Sequence, residues 1–233
     1  MRNLAVIPAR GGSKRILKKN IKLFHGKPII SWVIEMLLET GFFENVIVST
    51  DSEEIAQLSR SFGAETPFVR PACISDDNTS VFEVVKHALD FFRKKNETFE
   101  LATLIYPTAP FLKKSDIQRA INSITEYDFS ISVTLFPYPI QRALEINEDT
   151  DIVRMVEKNN FFKRSQDLPL RYHDAGQFVV GKTKSWQEKR PLIEGKTLPI
   201  IVPRIRVQDI DEHEDWEEAE AKFAFIKNHY LEK

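Results

Sequence analysis

Apolar positions along the first half of the chain alternate between short runs and helical stripes. Leu4-Ala5-Val6-Ile7 is a continuous apolar run, the pattern of a buried strand. Across 28–39, Ile30, Val33, Ile34 and Leu37 recur at helical spacing, with Pro28 at the start and Gly41 just past the end. Val46-Ile47-Val48-Ser49-Thr50 predicts a second strand. Asp51 and Glu54 then read as a capping box for a helix whose inner face is Ile55, Leu58 and Phe62, stopped by Gly63. A helix carrying Val81, Val84, Val85, Ala88 and Phe92 follows, then a strand over 101–106. Ser115 is placed as the cap of a helix with Ile117, Ala120, Ile121 and Ile124 inward, and 129–133 as the next strand. Strands alternating with helices through short links predict an α/β fold with a parallel sheet.

The alternation breaks at Phe136-Pro137-Tyr138-Pro139. Residues 137–173 are polar, basic and dotted with proline, and an insertion of that length in a compact domain is usually functional or exchanged with a partner. Regular pattern returns at 176–180 and 198–202. A last helix begins near Glu212, with Trp216, Ala219, Phe223 and Ile226 as its buried edge.

Composition narrows the function classes. The 233 residues suit one domain with a sizeable core. A net charge of −1 argues against bulk nucleic-acid binding, so any basic patch is local. Cys73 is the one cysteine, which excludes an intramolecular disulfide. No apolar stretch approaches the length of a membrane span, and a cytoplasmic protein is expected. The histidines at 25, 87, 173, 213 and 229 show no metal-ligand spacing; only His173, beside Asp174, is a candidate for a polar contact with substrate.

Two motifs carry chemistry. The first strand runs into Arg10-Gly11-Gly12-Ser13-Lys14, with Arg15, Lys18, Lys19 and Asn20 behind it. A strand end, a glycine turn and clustered cations suit a polyphosphate, since backbone N–H groups and basic side chains together neutralise its oxygens. The spacing fits neither the ATPase loop nor the dinucleotide-binding turn, and a basic surface turn is the plainer alternative. The second motif is Asp209-Ile210-Asp211. In an extended chain its two carboxylates share a side and suit Mg²⁺; the alternative is an acidic start to the last helix, with Glu212, Glu214 and Asp215 nearby. In an open α/β sheet, these motifs, Asp51, Arg70 and the 107–110 turn would converge at the carboxyl ends of the strands.

Residues 7–14 (Ile7-Pro8-Ala9-Arg10-Gly11-Gly12-Ser13-Lys14), followed by Lys19-Asn20, resemble the opening signature of the acylneuraminate cytidylyltransferases, the CMP-sialic acid synthetases. Leu17 departs from it, where many relatives have proline. Arg70-Pro71-Ala72, Pro107-Thr108-Ala109-Pro110 and Asp209-Ile210-Asp211 with Glu214-Asp215 extend the resemblance over nearly the whole chain. It implies a single nucleotidyltransferase domain over 1–233, with a Rossmann-like, mostly parallel sheet and helices on both faces. It also implies a homodimer in which segment 137–173 reaches the partner's site. The implied reaction is CTP plus a nonulosonic acid giving the CMP-sugar and pyrophosphate, with Mg²⁺.

The roles implied by the resemblance are specific. Arg10, Gly11, Gly12, Ser13 and Lys14 hold the triphosphate, Asn20 sits by the ribose or α-phosphate, and Arg70 reads the base. Asp209 and Asp211 hold the metal. Arg10, Lys14 and Asp211 are the catalytic set, with Asp211 or the metal in place of a histidine base. The sugar contacts are Tyr106, Thr108, Gln141, Arg142, Arg171 and Gln177. Gln141 aligns where the neuraminic-acid-using branch has lysine, and Tyr106 where that branch has glutamine. Residues 174–178 and 207–211 resemble the pseudaminic acid branch, so pseudaminic acid is the expected sugar, with neuraminic or legionaminic acid as alternatives. A glycosyltransferase using D-x-D, or a nucleotide-sensing module, are rivals outside the family.

Overall fold

A computed structural model describes residues 1–230, without the side chains of residues 229 and 230; of the five histidines, expected apart from His173 to be surface or helix residues, His229 has its side chain outside that set. The elements in chain order are strands β1 (Asn3–Pro8), β2 (Leu23–Phe24) and β3 (Lys27–Pro28), helix α1 (Ile29–Thr40), β4 (Asn45–Ser49), α2 (Glu53–Ser61), α3 (Val81–Lys94), β5 (Leu101–Ile105), α4 (Lys114–Ser123), β6 (Phe129–Leu135), β7 (Leu144–Asn147), β8 (Ile152–Met155), β9 (Tyr172–Lys182), α5 (Thr183–Gln187), β10 (Thr197–Ile201) and α6 (His213–Tyr230).

The central sheet has six strands in the order β10-β6-β9-β5-β1-β4. All run parallel except β9, which is antiparallel to both its neighbours, β5 and β6. The crossover through α4 carries the chain from β5 to β6 and leaves a gap of one strand between them. The chain leaves β6 into segment 137–173 and comes straight back, so β9 fills that gap as a hairpin partner needing no helical crossover. Sequence periodicity saw the strand at 176–180 but not its direction.

Helices cover both faces of the sheet. Ile30, Val33, Ile34 and Leu37 of α1, Ile55 of α2 and Ile117 and Ala120 of α4 pack on one side with Ala5, Ile7 and Ile105. Val84, Val85, Ala88 and Phe92 of α3, with Trp186 of α5, pack on the other against Leu4, Val6 and Leu104. A third cluster joins α6 to the chain between β1 and α1, where Trp216, Ala219, Phe223 and Ile226 meet Phe24 and Ile29. This docking brings the residues just before α6 beside the β1 loop.

Two local expectations are corrected, and one unforeseen element appears. Ser52, not Asp51, caps α2, accepting the N–H of Ile55 at 3.4 Å, and Glu54 pairs with Lys18 instead of closing a capping box. Asp51 is diverted to the β1 loop. Helix α4 begins at Lys114, one residue before Ser115, and has no side-chain cap. The stretch before α1 holds a small hairpin, β2–β3, turning through His25 (φ 47°) and Gly26 (φ 87°).

Candidate active site

A cavity of about 620 Å³ opens at the carboxyl ends of β1 and β5. The loop after β1 supplies Arg10, Ser13, Lys14 and Arg15, and a 3-10 turn over Lys19–Ile21 supplies Lys19 and Asn20. The chain after β5 supplies Tyr106, Pro107 and Thr108, and the approach to α6 supplies Asp211.

The β1 loop is fastened from beneath. The Gly11 N–H donates to Asp51 Oδ1 at 2.8 Å, and a Cβ at Gly11 would lie 3.1 Å from the Ser52 Cβ, so the close approach of the two segments favours glycine. Gly12 has open space, and the Ser13 N–H donates back to the Gly11 carbonyl at 3.1 Å. Asn20 is buried and donates from Nδ2 to the Arg10 carbonyl at 3.0 Å. With the Gly11 and Ser13 N–H groups engaged inside the protein, the positive character of the loop comes chiefly from its side chains.

Each of those cations already has an acid. Arg10 and Lys14 both pair with Asp77, Lys14 at 2.5 Å. Together, Lys14 first and then Arg10, they hold the Asp77 carboxyl below its usual range. Arg15 and Lys19 pair with Asp211 at 2.8 and 3.1 Å. Burial acts to raise the Asp211 pKa, but the Lys19 and Arg15 contacts outweigh it and the net shift is downward.

Arg70 lines the same cavity. Its N–H donates to the Thr50 carbonyl at 2.8 Å, which fixes the backbone against the end of β4. The side chain is 5% exposed, and its Nε and Nη2 have no hydrogen-bond partner among the described residues. Burial lowers its pKa, with Asp51 opposing and the Arg10 charge adding to the shift. A buried guanidinium with idle donors is costly unless a ligand supplies acceptors.

In the D-x-D segment, Ile210 is buried while Asp209 and Asp211 face outward on either side of it. The helix-cap task falls to Asp215, whose Oδ2 accepts the N–H groups of Asp211 (2.9 Å) and Glu212 (2.7 Å). The pair is therefore free of that duty. Asp209 reaches solvent, yet the protein packed around it and then the Asp211 charge raise its pKa. Asp174 is likewise raised, by burial first. Burial, then Asp174 and Asp209, push the Tyr106 phenol up to about 12.

Four sugar candidates stand elsewhere. Gln141 is buried within the inserted segment, donating to the Pro169 carbonyl at 2.8 Å. Arg142 borders a second, mostly apolar cavity of about 600 Å³ and donates to Ser165 Oγ at 3.3 Å. Arg171 is exposed, its carbonyl accepting the Phe136 N–H at 3.0 Å. Gln177 is 2% exposed and donates to the Arg206 carbonyl, while its own carbonyl accepts the Tyr106 N–H at 3.0 Å. The cavity of one chain thus gathers Tyr106 and Thr108 of the six. Conversely, Asp77 is not among the residues the sequence singles out, since nothing in the spacing of the polar run at 75–79 says that it folds over the β1 loop.

A family model described as cytidylyltransferase matches residues 4–227. The chain belongs to the cytidylyltransferase family. It is 40% identical to a pseudaminic acid cytidylyltransferase of Campylobacter jejuni, over 98% of each chain. It is 30% identical to a CMP-N,N'-diacetyllegionaminic acid synthase of Legionella pneumophila, over 93% of this chain and 94% of the other. An N-acylneuraminate cytidylyltransferase of Escherichia coli is 29% identical over 92% of this chain and 50% of its own length. Among solved structures, a CMP:2-keto-3-deoxy-manno-octonic acid synthetase complexed with CTP superposes with a TM-score of 0.69, covering 97% of this cytidylyltransferase and 99% of that chain at 17% identity. That likeness establishes the nucleotidyltransferase fold, and family membership removes the glycosyltransferase and sensor alternatives. No helix among the described residues of this cytidylyltransferase is long and apolar enough to cross a membrane.

Proposed function

We propose that this cytidylyltransferase activates a nonulosonic acid with CTP, and that the acid is pseudaminic acid. The observation that carries the nucleotide reading is the polarity of the cavity. A buried guanidinium with idle donors, Arg70, lines it together with four further cations, Arg10, Lys14, Arg15 and Lys19. Arg70 can donate to the O2 and N3 acceptors of cytosine, which have no N–H to offer at those positions. Arg10, Ser13 and Lys14 take the triphosphate, and Asn20, fastened to the Arg10 carbonyl, serves the ribose or α-phosphate. The choice of sugar is supported by the Campylobacter relative and by Tyr106 on the cavity wall.

The acidic residues fit Mg²⁺. Asp209 and Asp211 offer two carboxylates, and no group of three or more potential metal ligands occurs among the described residues. That donor set suits a hard cation that takes one or two carboxylates and completes its shell with phosphate oxygens and water. When bound, Mg²⁺ would neutralise phosphate charge and help to polarise the α-phosphoryl group.

The chain's own residues do the positioning. The anomeric hydroxyl of the sugar attacks the α-phosphorus in line. The bond from that phosphorus to the bridging oxygen breaks, and pyrophosphate leaves against Arg10 and Lys14. The hydroxyl proton passes to a carboxylate of the D-x-D pair. Holding both substrates in line and neutralising charge that grows on the leaving group are the two sources of rate.

We also propose a homodimer. Segment 137–173 exposes Leu144, Ile146, Ile152, Val153, Phe161 and Phe162, an apolar excess of the kind that marks a protein interface. In such a dimer Arg142 and Arg171 would serve the neighbouring copy's cavity, which accounts for their distance from their own. The reading places the enzyme in the cytoplasm, where CTP is available.

Pyrophosphate release from CTP with pseudaminic, legionaminic and N-acetylneuraminic acids tests the reading. Turnover should be fastest with pseudaminic acid. Preference for another of the three would reassign the sugar, and no release with any would refute the reaction.

A further inference from the structure

Asp77 has no place in the reaction just described, yet it holds two of its cations. One carboxylate oxygen accepts from Arg10 and the other from Lys14, the latter at 2.5 Å. A two-oxygen anion bridging a guanidinium and an ammonium is the arrangement expected of a phosphate group on the same residues. Resting on the assignment of Arg10 and Lys14 to the triphosphate, we propose that Asp77 is a built-in stand-in for phosphate that exchanges with the triphosphate on those two cations and so sets how much negative charge a nucleotide must carry to bind.

The local architecture suits an exchange. Asp77 is 44% exposed at its side chain, so it can swing into water when displaced. It sits in a short polar loop with its own internal fastening, in which Asp76 Oδ1 accepts the Asn78 N–H at 3.1 Å and the Thr79 hydroxyl at 2.7 Å. The loop follows directly from Arg70-Pro71, with the Ser75 hydroxyl donating to the Pro71 carbonyl at 2.9 Å. The contact therefore ties the segment that follows Arg70 to the loop that carries Arg10 and Lys14.

Charge decides which anion wins. Arg10 and Lys14 cannot serve the Asp77 carboxylate and a terminal phosphate at full strength together. A triphosphate brings several charges and many acceptor oxygens and outcompetes one carboxylate. Orthophosphate or a nucleoside monophosphate brings fewer and does so poorly. After the reaction the same competition runs in reverse, because Asp77 is tethered at high effective concentration and helps to expel pyrophosphate.

The test is calorimetric binding of inorganic tripolyphosphate and of pyrophosphate to the full chain. Variants are Asp77→Asn, Asp76→Asn and Arg10→Ala. Asp76→Asn removes the same charge from the same loop but can still accept both turn hydrogen bonds. Asp77→Asn should bind tripolyphosphate about three- to tenfold more tightly, in line with two partly exposed ion pairs no longer competing. It should also be inhibited by pyrophosphate at lower concentration, while Asp76→Asn changes little. Equal tightening in both variants would reduce the effect to net charge and overturn the proposal, as would unchanged or weaker binding in Asp77→Asn. Binding that Arg10→Ala weakens but Asp77→Asn leaves alone overturns the role of Asp77 only. Binding indifferent to Arg10→Ala overturns the phosphate assignment beneath it as well.

Discussion

Around the exit of β1, Arg10, Lys14, Arg15, Lys18 and Lys19 each have an acidic partner in the same chain. Across the inserted segment the opposite holds: Leu144, Ile146, Ile152, Val153 and Phe162 lie more than half exposed. The two regions handle their excess differently. Surface ion pairs are worth little each, so internal acids can neutralise cations and still release them to a better anion. Apolar surface has no such internal substitute, because only burial against another surface removes it from water. One region is provisionally satisfied, and the other leaves its apolar side chains in water unless the proposed dimer covers them.

The comparison breaks most decisively at Asp211, which pairs with Arg15 and Lys19 and is proposed to hold Mg²⁺. Asp211→Asn keeps the size and loses the charge, and should lower turnover about 10²–10³-fold with the fold intact by circular dichroism. A well-folded variant of near-normal rate would remove Asp211 from the reaction.

A smaller effect separates the regions by pH. Tyr106, on the cavity wall, titrates near 10.0 in the unfolded chain and about 12 in the folded protein. The unfolded chain therefore loses its proton first. The contribution is intact below about pH 10 and is lost as pH rises through 12, amounting to about 2–3 kcal/mol. Denaturant titrations of the wild type and Tyr106→Phe should diverge in slope over that interval, with the variant flatter. Parallel profiles would mean that the phenol is not buried as described.

The mildest expected change is in the inserted segment. Phe162 is 93% exposed, so Phe162→Asp should leave the stability of one chain within about 0.5 kcal/mol. In the proposed dimer it should weaken association at least about tenfold, read by sedimentation or light scattering. A dimer of unchanged affinity would place the interface elsewhere.

What was legible in the sequence followed from short-range pattern. The stripe of α1, the edge of α6 and the apolar run of β1 are set by residues within a few positions of one another, and periodicity reports them faithfully. The cap of α2 shows where that reach ends. Asp51 and Ser52 are both good caps, and the choice between them was made by Gly11, forty positions away, whose N–H claims Asp51. The direction of β9 was hidden for the same reason, since a strand's alternation is identical run either way. Within the site, glycine and cation spacing announced the β1 loop, and D-x-D announced itself. Asp77 could not be found that way, because its meaning depends on a loop folding across from the far side of β4. Gln141 and Gln177 stand outside the cavity of their own chain, their Nε2 groups donating to the Pro169 and Arg206 carbonyls, and only the resemblance connects them with the sugar.

The pairing of β6 with β9 extends out to Leu135 and Tyr172, at the very mouth of the inserted segment. Both feet of that segment therefore stand on one rung of the ladder, and the sheet closes beneath it whatever lies above. Replacing 136–171 by a tight turn would demand no new strand order, and lengthening it would add only the slowly growing entropy of a longer loop. The segment is thus a detachable module in the engineering sense. Shortening it is expected to leave the β6–β9 register unchanged.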